Sequence, residues 1–287
     1  MKIALGTVQF GSHYGVANSA GQVSKSEAER ILAYAKSSGV NTIDTAVAYG
    51  SSQDCLGEIG VHEYQVVSKL QHIPDDFGDL ELWVSSQVDR SLEVLGIEKL
   101  SGLLLHRPGQ LYDPGKEKLW DHLVNLKKEG KTEKIGFSIY SPEELETLCK
   151  SYSPDLVQAP YSVFDRRLEQ SGWLQRLSDN SVEIHIRSIF LQGLLLMGES
   201  RIPKRFSKWT TEFSRWFHWL EENKVDPLQA AISFALSDER VSRAIVGVDS
   251  LEQFRDIINA ANNLGKYPEN LSITDPVLLN PTNWASL

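Results

Sequence analysis

Cysteines, basic stretches and long apolar runs are all scarce in this 287-residue sequence. The two cysteines, Cys55 and Cys149, lie too far apart for a metal-binding motif, and we expect reduced thiols in a cytoplasmic protein. No window approaches the roughly 18 apolar residues that a transmembrane helix requires, and the opening MKIALGTVQFG lacks a signal-peptide core. The net charge of −9, without a basic stripe, argues against nucleic acid and anionic membranes as partners.

Short apolar runs that alternate with amphipathic stretches are abundant instead. Apolar residues make up 41% of the chain, which is enough for an ordinary hydrophobic core. Eight runs predict strands, and each precedes a segment that can form a helix. These strands are Ile3–Thr7, Thr42–Thr45, Gln65–Lys69, Gly102–His106, Lys134–Ser138, Leu156–Gln158, Glu183–Ser188 and Ala244–Val246.

Eight βα units without a linker between them predict a single (β/α)8 TIM barrel over residues 1–287. In such a barrel the functional loops lie at the carboxyl ends of the strands. A doubly wound sheet is the alternative, but it does not usually need eight strands, and no GxGxxG motif follows the first one.

Two segments allow more than one interpretation. After the seventh strand, Phe213, Trp216 or Phe217, and Leu220 have helical spacing and predict core positions. The preceding residues 199–210 are a candidate for a mobile lid over the barrel mouth. Near the end of the chain, Asp249 and Glu252 have capping-box spacing, which predicts that Asp249 caps the last helix of the barrel.

Four chemically active side chains fall at the predicted strand ends. Asp44 lies just inside the second strand, Tyr49 lies in the loop after it, and Lys69 and His106 close the third and fourth strands. Each alone has an ordinary explanation, such as a turn, a surface group or a structural histidine. Because four such groups converge on one face of one barrel, we interpret them as an active site.

The four residues form a chemically sensible set. A phenol has a pKa near 10, which is too high for easy proton donation at neutral pH. A neighbouring Lys69 ammonium would make the Tyr49 phenol a better acid, and Asp44 would keep that ammonium charged and oriented. His106 would then hydrogen-bond the substrate oxygen and fix its approach. No spacing of ligands predicts a metal site.

Successive motifs along the chain resemble those of the aldo-keto reductases. They are GVNTIDTAVAYGSSQDCLG, VVSKL, LLLHRP, GKTEKIGFSIYS, VQAPYSVFDRR and AIVGVDSLEQF, and they run in order from Leu5 to about Ile258. The resemblance is closer to the shorter bacterial members. It implies hydride transfer from a nicotinamide cofactor to a carbonyl, without a Rossmann fold. It also implies a tetrad of Asp44, Tyr49, Lys69 and His106, with Tyr49 as general acid.

The resemblance also implies a set of cofactor contacts. Ser138 and Gln158 match carboxamide-binding positions, although Ile139 stands where an asparagine is common. Arg187 stands where a tyrosine usually stacks on the nicotinamide ring, and a planar guanidinium can stack as well. Ser188, Leu191 and Gly193 match the loop that passes near the pyrophosphate. The full set of implied contacts is Gly6, Thr7, Ser138, Gln158, Arg187, Ser188, Leu191, Gly193, Gly247, Asp249 and Gln253.

Family habit and local chemistry point to different cofactors. Many relatives place a lysine or arginine near the start of the final helix to hold the 2′-phosphate of NADPH, but this chain has Asp249 and Gln253 there. A carboxylate repels a phosphate and suits the 2′-hydroxyl of NAD instead. Arg255 is nearby, with a register that faces elsewhere. NADP(H) is thus expected by habit and NAD(H) by local chemistry, unless Asp249 is only a helix cap.

The substrate is expected to be a small carbonyl compound, by analogy a sugar-derived or otherwise polar one. Residues that are candidates for the pocket mouth are His13, Tyr14, Arg107, Tyr161 and Arg201. Two other functions stay open: a non-catalytic nicotinamide-binding regulatory subunit of the same fold, and a barrel aldolase that forms a Schiff base at Lys69. Nothing in the sequence predicts the oligomeric state.

Overall fold

A computed structural model describes residues 1–287, except for the side chains of Ala285 and Ser286. Eight parallel strands form one closed barrel in sequence order, with β1 paired to both β2 and β8. They are β1 Ile3–Gly6, β2 Thr42–Asp44, β3 Gln65–Leu70, β4 Gly102–Leu105, β5 Ile135–Ser138, β6 Leu156–Pro160, β7 Glu183–Arg187 and β8 Arg243–Gly247. The predicted (β/α)8 barrel is therefore confirmed, and the doubly wound alternative is wrong because the sheet closes.

Helices surround the barrel and alternate with its strands. They are α1 Val8–Gly11, α2 Lys25–Ser37, α3 Ser52–Ile59, α4 Leu80–Leu95, α5 Leu119–Lys128, α6 Glu143–Ser151, α7 Arg167–Gln170, α8 Trp173–Asp179, α9 Thr210–Asn223, α10 Pro227–Ser237, α11 Leu251–Asn262 and α12 Pro276–Leu279. Short 3₁₀ turns cover Pro108–Tyr112, Leu194–Leu196, Glu199–Arg201, Lys204–Trp209 and Pro281–Ser286. Among the described residues, no helix is long and apolar enough to span a membrane.

The inside of the barrel changes from apolar to polar along its axis. Val67, Leu104 and Leu156 form a small apolar cluster separate from the large core that packs the helices on the strands. Two residues further along their strands stand Lys69 and Gln158, on the same interior face because side chains alternate along a strand. The polar layer therefore lies directly above the apolar one, toward the carboxyl ends.

Gly136 allows strands β5 and β6 to approach closely. A Cβ atom added at this glycine would lie 1.7 Å from the carbonyl oxygen of Leu156. No side chain fits at that distance, so glycine is needed here for space and not for backbone freedom. The contact sets the spacing of two strands that carry Ser138 and Gln158 to the barrel mouth.

The start of helix α11 differs from the prediction by one residue. Ser250 is the N-cap and accepts a hydrogen bond from the backbone N–H of Gln253, so the prediction that Asp249 caps the helix is wrong. The Gln253 side chain in turn accepts from the backbone N–H of Asp249 at 2.8 Å. Because Ser250 already satisfies the helix terminus, the Asp249 carboxylate is left for other partners.

The segment before helix α9 is packed as part of the core. Phe213, Trp216 and Leu220 are buried on α9, as their spacing predicted. Within residues 199–210, Phe206 is fully buried and its ring contacts Trp284 edge-on, with centroids 4.9 Å apart. No residue of 199–210 lines the cavity at the barrel mouth, so the lid interpretation is not supported.

The last part of the chain, residues 268–284, crosses back over the barrel as a C-terminal strap. Arg166 donates hydrogen bonds to the carbonyls of Pro268 and Glu269. Asp275 accepts from Lys208 at 2.8 Å and from the Trp209 indole at 3.1 Å. Between these anchors and the buried indole of Trp284, residues 281–282 reach the cavity wall.

Candidate active site

A cavity of about 700 Å³ opens at the carboxyl ends of the strands, a size typical of small-ligand sites. Thirteen of the predicted site residues line it: Gly6, Thr7, Asp44, Tyr49, His106, Ser138, Gln158, Arg187, Ser188, Gly193, Gly247, Asp249 and Gln253. Lys69 lies just beneath this lining, with 1% exposure. Leu191 is fully buried outside it, because its apolar side chain packs into the core.

A buried ion pair forms the floor of the cavity. The Lys69 ammonium donates to Asp44 Oδ1 at 2.6 Å and to the Thr45 carbonyl at 3.0 Å. Gln158 Nε2 donates to the other oxygen, Asp44 Oδ2, at 2.7 Å. Burial lowers the pKa of Lys69, but the Asp44 carboxylate more than offsets this, so its pKa lies above the ordinary value. The lysine is therefore held charged.

Tyr49 lies over the ion pair and beside His106. The Lys69 nitrogen is 4.9 Å from the centre of the Tyr49 ring. The Tyr49 and His106 rings meet edge to face, with centroids 5.9 Å apart. Burial raises the pKa of Tyr49 above its ordinary value, and Lys69 opposes this shift without reversing it. The expectation that Lys69 alone makes the phenol more acidic is therefore incomplete, because burial is the larger effect.

His106 is neutral at physiological pH. Burial lowers its pKa to about 4, and the charges of Lys69 and Arg187 add to the effect. The imidazole therefore offers a neutral N–H and a neutral nitrogen to a ligand in the cavity.

Arg187 closes the side of the cavity at the end of β7. Its guanidinium donates to the Ile139 carbonyl at 2.8 Å and to Ser188 Oγ at 3.2 Å. It also lies over the Tyr140 ring, 4.6 Å from the ring centre. Tyr140 lines the cavity too, and the sequence interpretation missed it because nothing in its own segment distinguishes it from a surface tyrosine.

Two buried amide oxygens at the cavity have no hydrogen-bond partner among the described atoms. They are Oε1 of Gln158 and Oε1 of Gln9, a cavity residue that sequence reasoning also missed. Buried acceptors of this kind normally have a donor. Their position in the cavity wall indicates that a ligand with N–H or O–H groups supplies it.

A loop after β7 meets the loop after β1 across the cavity. Ser188 and Gln192 have left-handed backbone conformations, and a Cβ added at Gly193 would lie 2.4 Å from that of Ala17. The Ala17 amide donates to the Gln192 carbonyl at 3.4 Å. Glycine at 193 thus allows the two loops to close over this part of the cavity.

The wall of the cavity next to helix α11 is acidic. Asp249 Oδ1 accepts from Asn18 Nδ2 at 2.9 Å, and Asp256 also lines this wall. Arg255 does not, since its guanidinium lies 5.5 Å from the centre of the Tyr34 ring on the outer face. Arg187 is the one lysine or arginine among the described lining residues, and it stands at the end of β7 and not on α11.

Of the five residues predicted at the pocket mouth, only Tyr14 lines the cavity. His13, Arg107, Tyr161 and Arg201 do not, so those predictions are wrong. Tyr161 is buried against Phe234 and donates a hydrogen bond to Glu169, while Arg107 and Arg201 are exposed and outside the cavity lining. No cluster of potential metal ligands occurs among the described residues.

A closed eight-stranded barrel with a lysine, a carboxylate, a tyrosine and a histidine at its carboxyl-terminal mouth defines a class, the (β/α)8-barrel oxidoreductases. The sequence specifies the family within that class. Residues 2–273 match the model of the aldo/keto reductase family, and the chain belongs to it.

Individual relatives are distant. The L-glyceraldehyde 3-phosphate reductase of Escherichia coli O157:H7 is 26% identical over 226 residues, which are 70% of this chain and 65% of the relative. The NADH-specific methylglyoxal reductase of E. coli K12 is 27% identical over 55% of this chain and 54% of its own length. A holo-form aldo-keto reductase structure from Bacillus halodurans superposes with a TM-score of 0.73, at 19% identity over 97% of this chain and 90% of that one.

Proposed function

We propose that the chain reduces an aldehyde or ketone to the alcohol with a nicotinamide cofactor, with Tyr49 as the proton donor. The observation that carries the proposal is the Tyr49 phenol at the cavity floor, above a buried and charged Lys69–Asp44 pair. In the reaction a hydride is added to the carbonyl carbon and a proton to its oxygen. The Tyr49 phenol donates this proton, and the Lys69–Asp44 pair stabilises the phenolate that is left.

Tyr49 keeps its proton until the transition state needs it. Because burial raises the pKa of the phenol, Tyr49 is protonated at neutral pH. As charge develops on the carbonyl oxygen, the phenol donates, and the Lys69 ammonium stabilises the phenolate that remains. Asp44 keeps Lys69 charged and in place for that step.

His106 orients the carbonyl. Its pKa of about 4 keeps the imidazole neutral, so it donates a hydrogen bond to the substrate oxygen without competing with Tyr49 as an acid. Its edge-to-face contact with the Tyr49 ring places both groups on one side of the cavity. A carbonyl oxygen held between them is positioned for proton transfer.

The cavity residues fit a nicotinamide cofactor. The unpaired Gln158 Oε1 is an acceptor for the carboxamide NH₂, and the Ser138 hydroxyl lies on the neighbouring strand. Ser188 and Gly193, in the loop after β7, would lie along the phosphates. When bound, the cofactor supplies the hydride, while the chain holds the ring and delivers the proton.

NAD(H) is the proposed cofactor, against the family habit of NADP(H). The end of the cavity next to α11 presents Asp249 and Asp256, and no described lysine or arginine lines it to bind a 2′-phosphate. Asp249 does not cap the helix, and the side-chain partner of its carboxylate is Asn18, so the carboxylate is not occupied by the helix terminus. A relative named an NADH-specific methylglyoxal reductase gives this choice a precedent.

The alternative functions have less support. A Schiff-base aldolase needs a neutral lysine, whereas the Lys69 ammonium contacts Asp44 at 2.6 Å and its pKa lies above the ordinary value. A purely regulatory subunit has no use for the complete set of Asp44, Tyr49, Lys69 and His106. A small polar carbonyl is the favoured substrate, as the names of the reductase relatives suggest by analogy.

The test is Tyr49→Phe with a panel of aldehydes, NADH and NADPH, followed by nicotinamide absorbance. We expect kcat to fall by about 10²–10⁴-fold, since that is the usual contribution of general acid catalysis. Cofactor Kd should stay within about twofold. Tyr112→Phe is the matched control, because this half-exposed tyrosine lies outside the cavity. Near-normal turnover by Tyr49→Phe would assign the proton donor elsewhere.

A further inference from the structure

Gln9 is a buried residue whose side-chain amide makes no hydrogen bond. It is 8% exposed and lines the cavity, and neither its Oε1 nor its Nε2 has a partner among the described atoms. Burying an amide without partners costs free energy, so the fold alone does not account for Gln9 at this position. The other buried side-chain amides each make at least one hydrogen bond, namely those of Asn18, Gln53, Gln110 and Gln158.

Gly247 leaves the space in which the Gln9 amide lies. A Cβ atom added at Gly247 would lie 2.5 Å from Gln9 Nε2 and 2.6 Å from Gln9 Oε1. The backbone of Gly247 is not left-handed, so glycine is needed here for the neighbouring side chain and not for backbone freedom. The Gln9 amide therefore lies against the end of strand β8.

The end of β8 lies between the reacting groups and the acidic wall of the cavity. Gly247 pairs with Gly6 at the end of β1, and Gly6 pairs with Asp44 at the end of β2. Asp249 follows Gly247 by two residues. A ligand that extends from the reaction centre at Asp44 to Asp249 therefore passes over the ends of β1 and β8, where the Gln9 amide lies.

The ribose next to the nicotinamide ring is the part of the proposed cofactor that suits this position. The proposed carboxamide contacts, Ser138 and Gln158, lie on β5 and β6. In the closed ring of strands β5 stands opposite β1, so the ribose on the ring nitrogen would extend toward the ends of β1 and β8. Its hydroxyls donate hydrogen bonds, whereas the phosphates beyond it only accept them. The unpaired Gln9 Oε1 is an acceptor for such a hydroxyl.

On the basis of the function proposed above, we propose that Gln9 binds the nicotinamide ribose of the cofactor. Its Oε1 accepts a hydrogen bond from a ribose hydroxyl, and Gly247 acts through Gln9 by leaving room for the amide. Gln9 thus anchors the nicotinamide half of the cofactor, while Asp249 faces the adenosine half.

The first experiment compares ligands that contain or lack this ribose. The probes are NADH, reduced nicotinamide mononucleotide, which keeps the ribose, and ADP, which lacks it, with each Kd measured by calorimetry. Gln9→Met should weaken the first two about tenfold and leave ADP within about twofold, since one hydrogen bond is lost. A parallel loss of ADP binding would place the contact on the adenosine half and overturn the proposal.

Deoxy analogues identify the hydrogen bond itself. NADH with a 2′-deoxy or a 3′-deoxy nicotinamide ribose is titrated into the wild-type protein and into Gln9→Met. At least one analogue should bind the wild type about tenfold more weakly than NADH does, and that gap should shrink to about twofold in the variant. Gaps of the same size in both proteins would overturn the proposal.

Stability distinguishes ligand binding from a structural role. Without cofactor, Gln9→Met should keep or raise the midpoint of urea unfolding, because it removes an unpaired buried amide. Gln110→Met is the matched control, a buried glutamine outside the cavity that accepts from the Ile73 amide at 3.0 Å. It should lower the midpoint and leave every Kd unchanged. A lower midpoint in Gln9→Met with unchanged Kd values would make Gln9 a structural residue.

A double-mutant cycle tests the role of Gly247. Gly247→Ala should displace the Gln9 amide and weaken NADH about as much as Gln9→Met does. In a Gln9→Ala background the added methyl group has room, and its cost should fall below about twofold. An equal cost in both backgrounds would show that Gly247 meets the cofactor directly and would overturn its action through Gln9.

These measurements require no turnover, which separates the ribose site from the proposed reaction. If no aldehyde is reduced while the Gln9 variants change NADH binding as expected, the reaction is wrong and the ribose site is correct. If aldehydes are reduced while Gln9→Met leaves every Kd unchanged, the reaction stands and the ribose site is wrong.

Discussion

At the residue scale, the Lys69–Asp44 pair has separable roles in stability and catalysis. Lys69→Met leaves the Asp44 carboxylate buried, with Gln158 as its remaining side-chain partner. We expect a loss of about 3–5 kcal/mol in the free energy of unfolding, measured in urea, and loss of carbonyl reduction. Adding Asp44→Leu should restore much of the stability, because no buried charge is then unpaired, without restoring activity. Activity in the double variant would contradict the role given to Lys69.

Asp249 is expected to discriminate between NADH and NADPH. Two charges about 4 Å apart at an effective dielectric near 20 repel by about 4 kcal/mol, which exposure and salt reduce to about 1–2 kcal/mol. Asp249→Asn should therefore improve NADPH binding roughly tenfold and change NADH binding only a few-fold.

The measurement is a pair of Kd values from tryptophan fluorescence, for each protein at two salt concentrations. The control is Asp121→Asn, a like change on the exposed face of helix α5. An equal change for both cofactors, or none, would mean that Asp249 does not face the adenosine ribose. The main role of Asp249 would then be to accept the hydrogen bond from Asn18.

Single residues differed in how far the sequence could predict them. Asp44 and Lys69 interrupt apolar strand patterns, so their chemistry stands out in the sequence itself. Gln9 and Tyr140 lie in short segments with no such contrast, and only the folded chain places them in the cavity. The cap of α11 was misassigned because Asp249 and Ser250 are both good capping residues, and local geometry decides between them.

At the element scale, the approach of β5 to β6 depends on one missing methyl group. Gly136→Ala would place a Cβ 1.7 Å from the Leu156 carbonyl oxygen, which forces the two strands apart. We expect about 3 kcal/mol or more of destabilisation in urea unfolding. Cofactor binding should weaken as well, because Ser138 and Gln158 lie on these strands. Gly109→Ala is the control, since its Cβ would meet no atom within 4 Å. Equal stabilities would refute the steric argument.

The elements themselves were the most predictable part of the molecule. All eight strand predictions agree with the structure to within two residues at either end, because buried parallel strands are short continuous apolar runs. The irregular segments were not predictable in the same way. The aromatic residues of 199–210 are equally compatible with a lid or a packed turn, and only the contact of Phe206 with Trp284 distinguishes them.

At the scale of the whole molecule, one cavity gathers residues from distant parts of the chain. Its wall includes Gly6 from the first strand and Thr282 from the C-terminal strap. Periodicity predicts which elements form and a repeat predicts that they close into a ring, but neither predicts how far a strap extends across the mouth. Its course depends on long-range contacts such as those of Asp275 with Lys208 and Trp209.

The pairing of β1 with β8 has a consequence for the chain during its synthesis. Translation delivers β1 first, yet one edge of that strand has no partner until Arg243–Gly247 has left the ribosome. The nascent chain therefore carries an open sheet edge through most of its elongation, and such edges favour pairing between chains. The N-terminal half is for this reason the part in which we expect molecular chaperones to be needed, and ligand binding comes only after the last strand has docked.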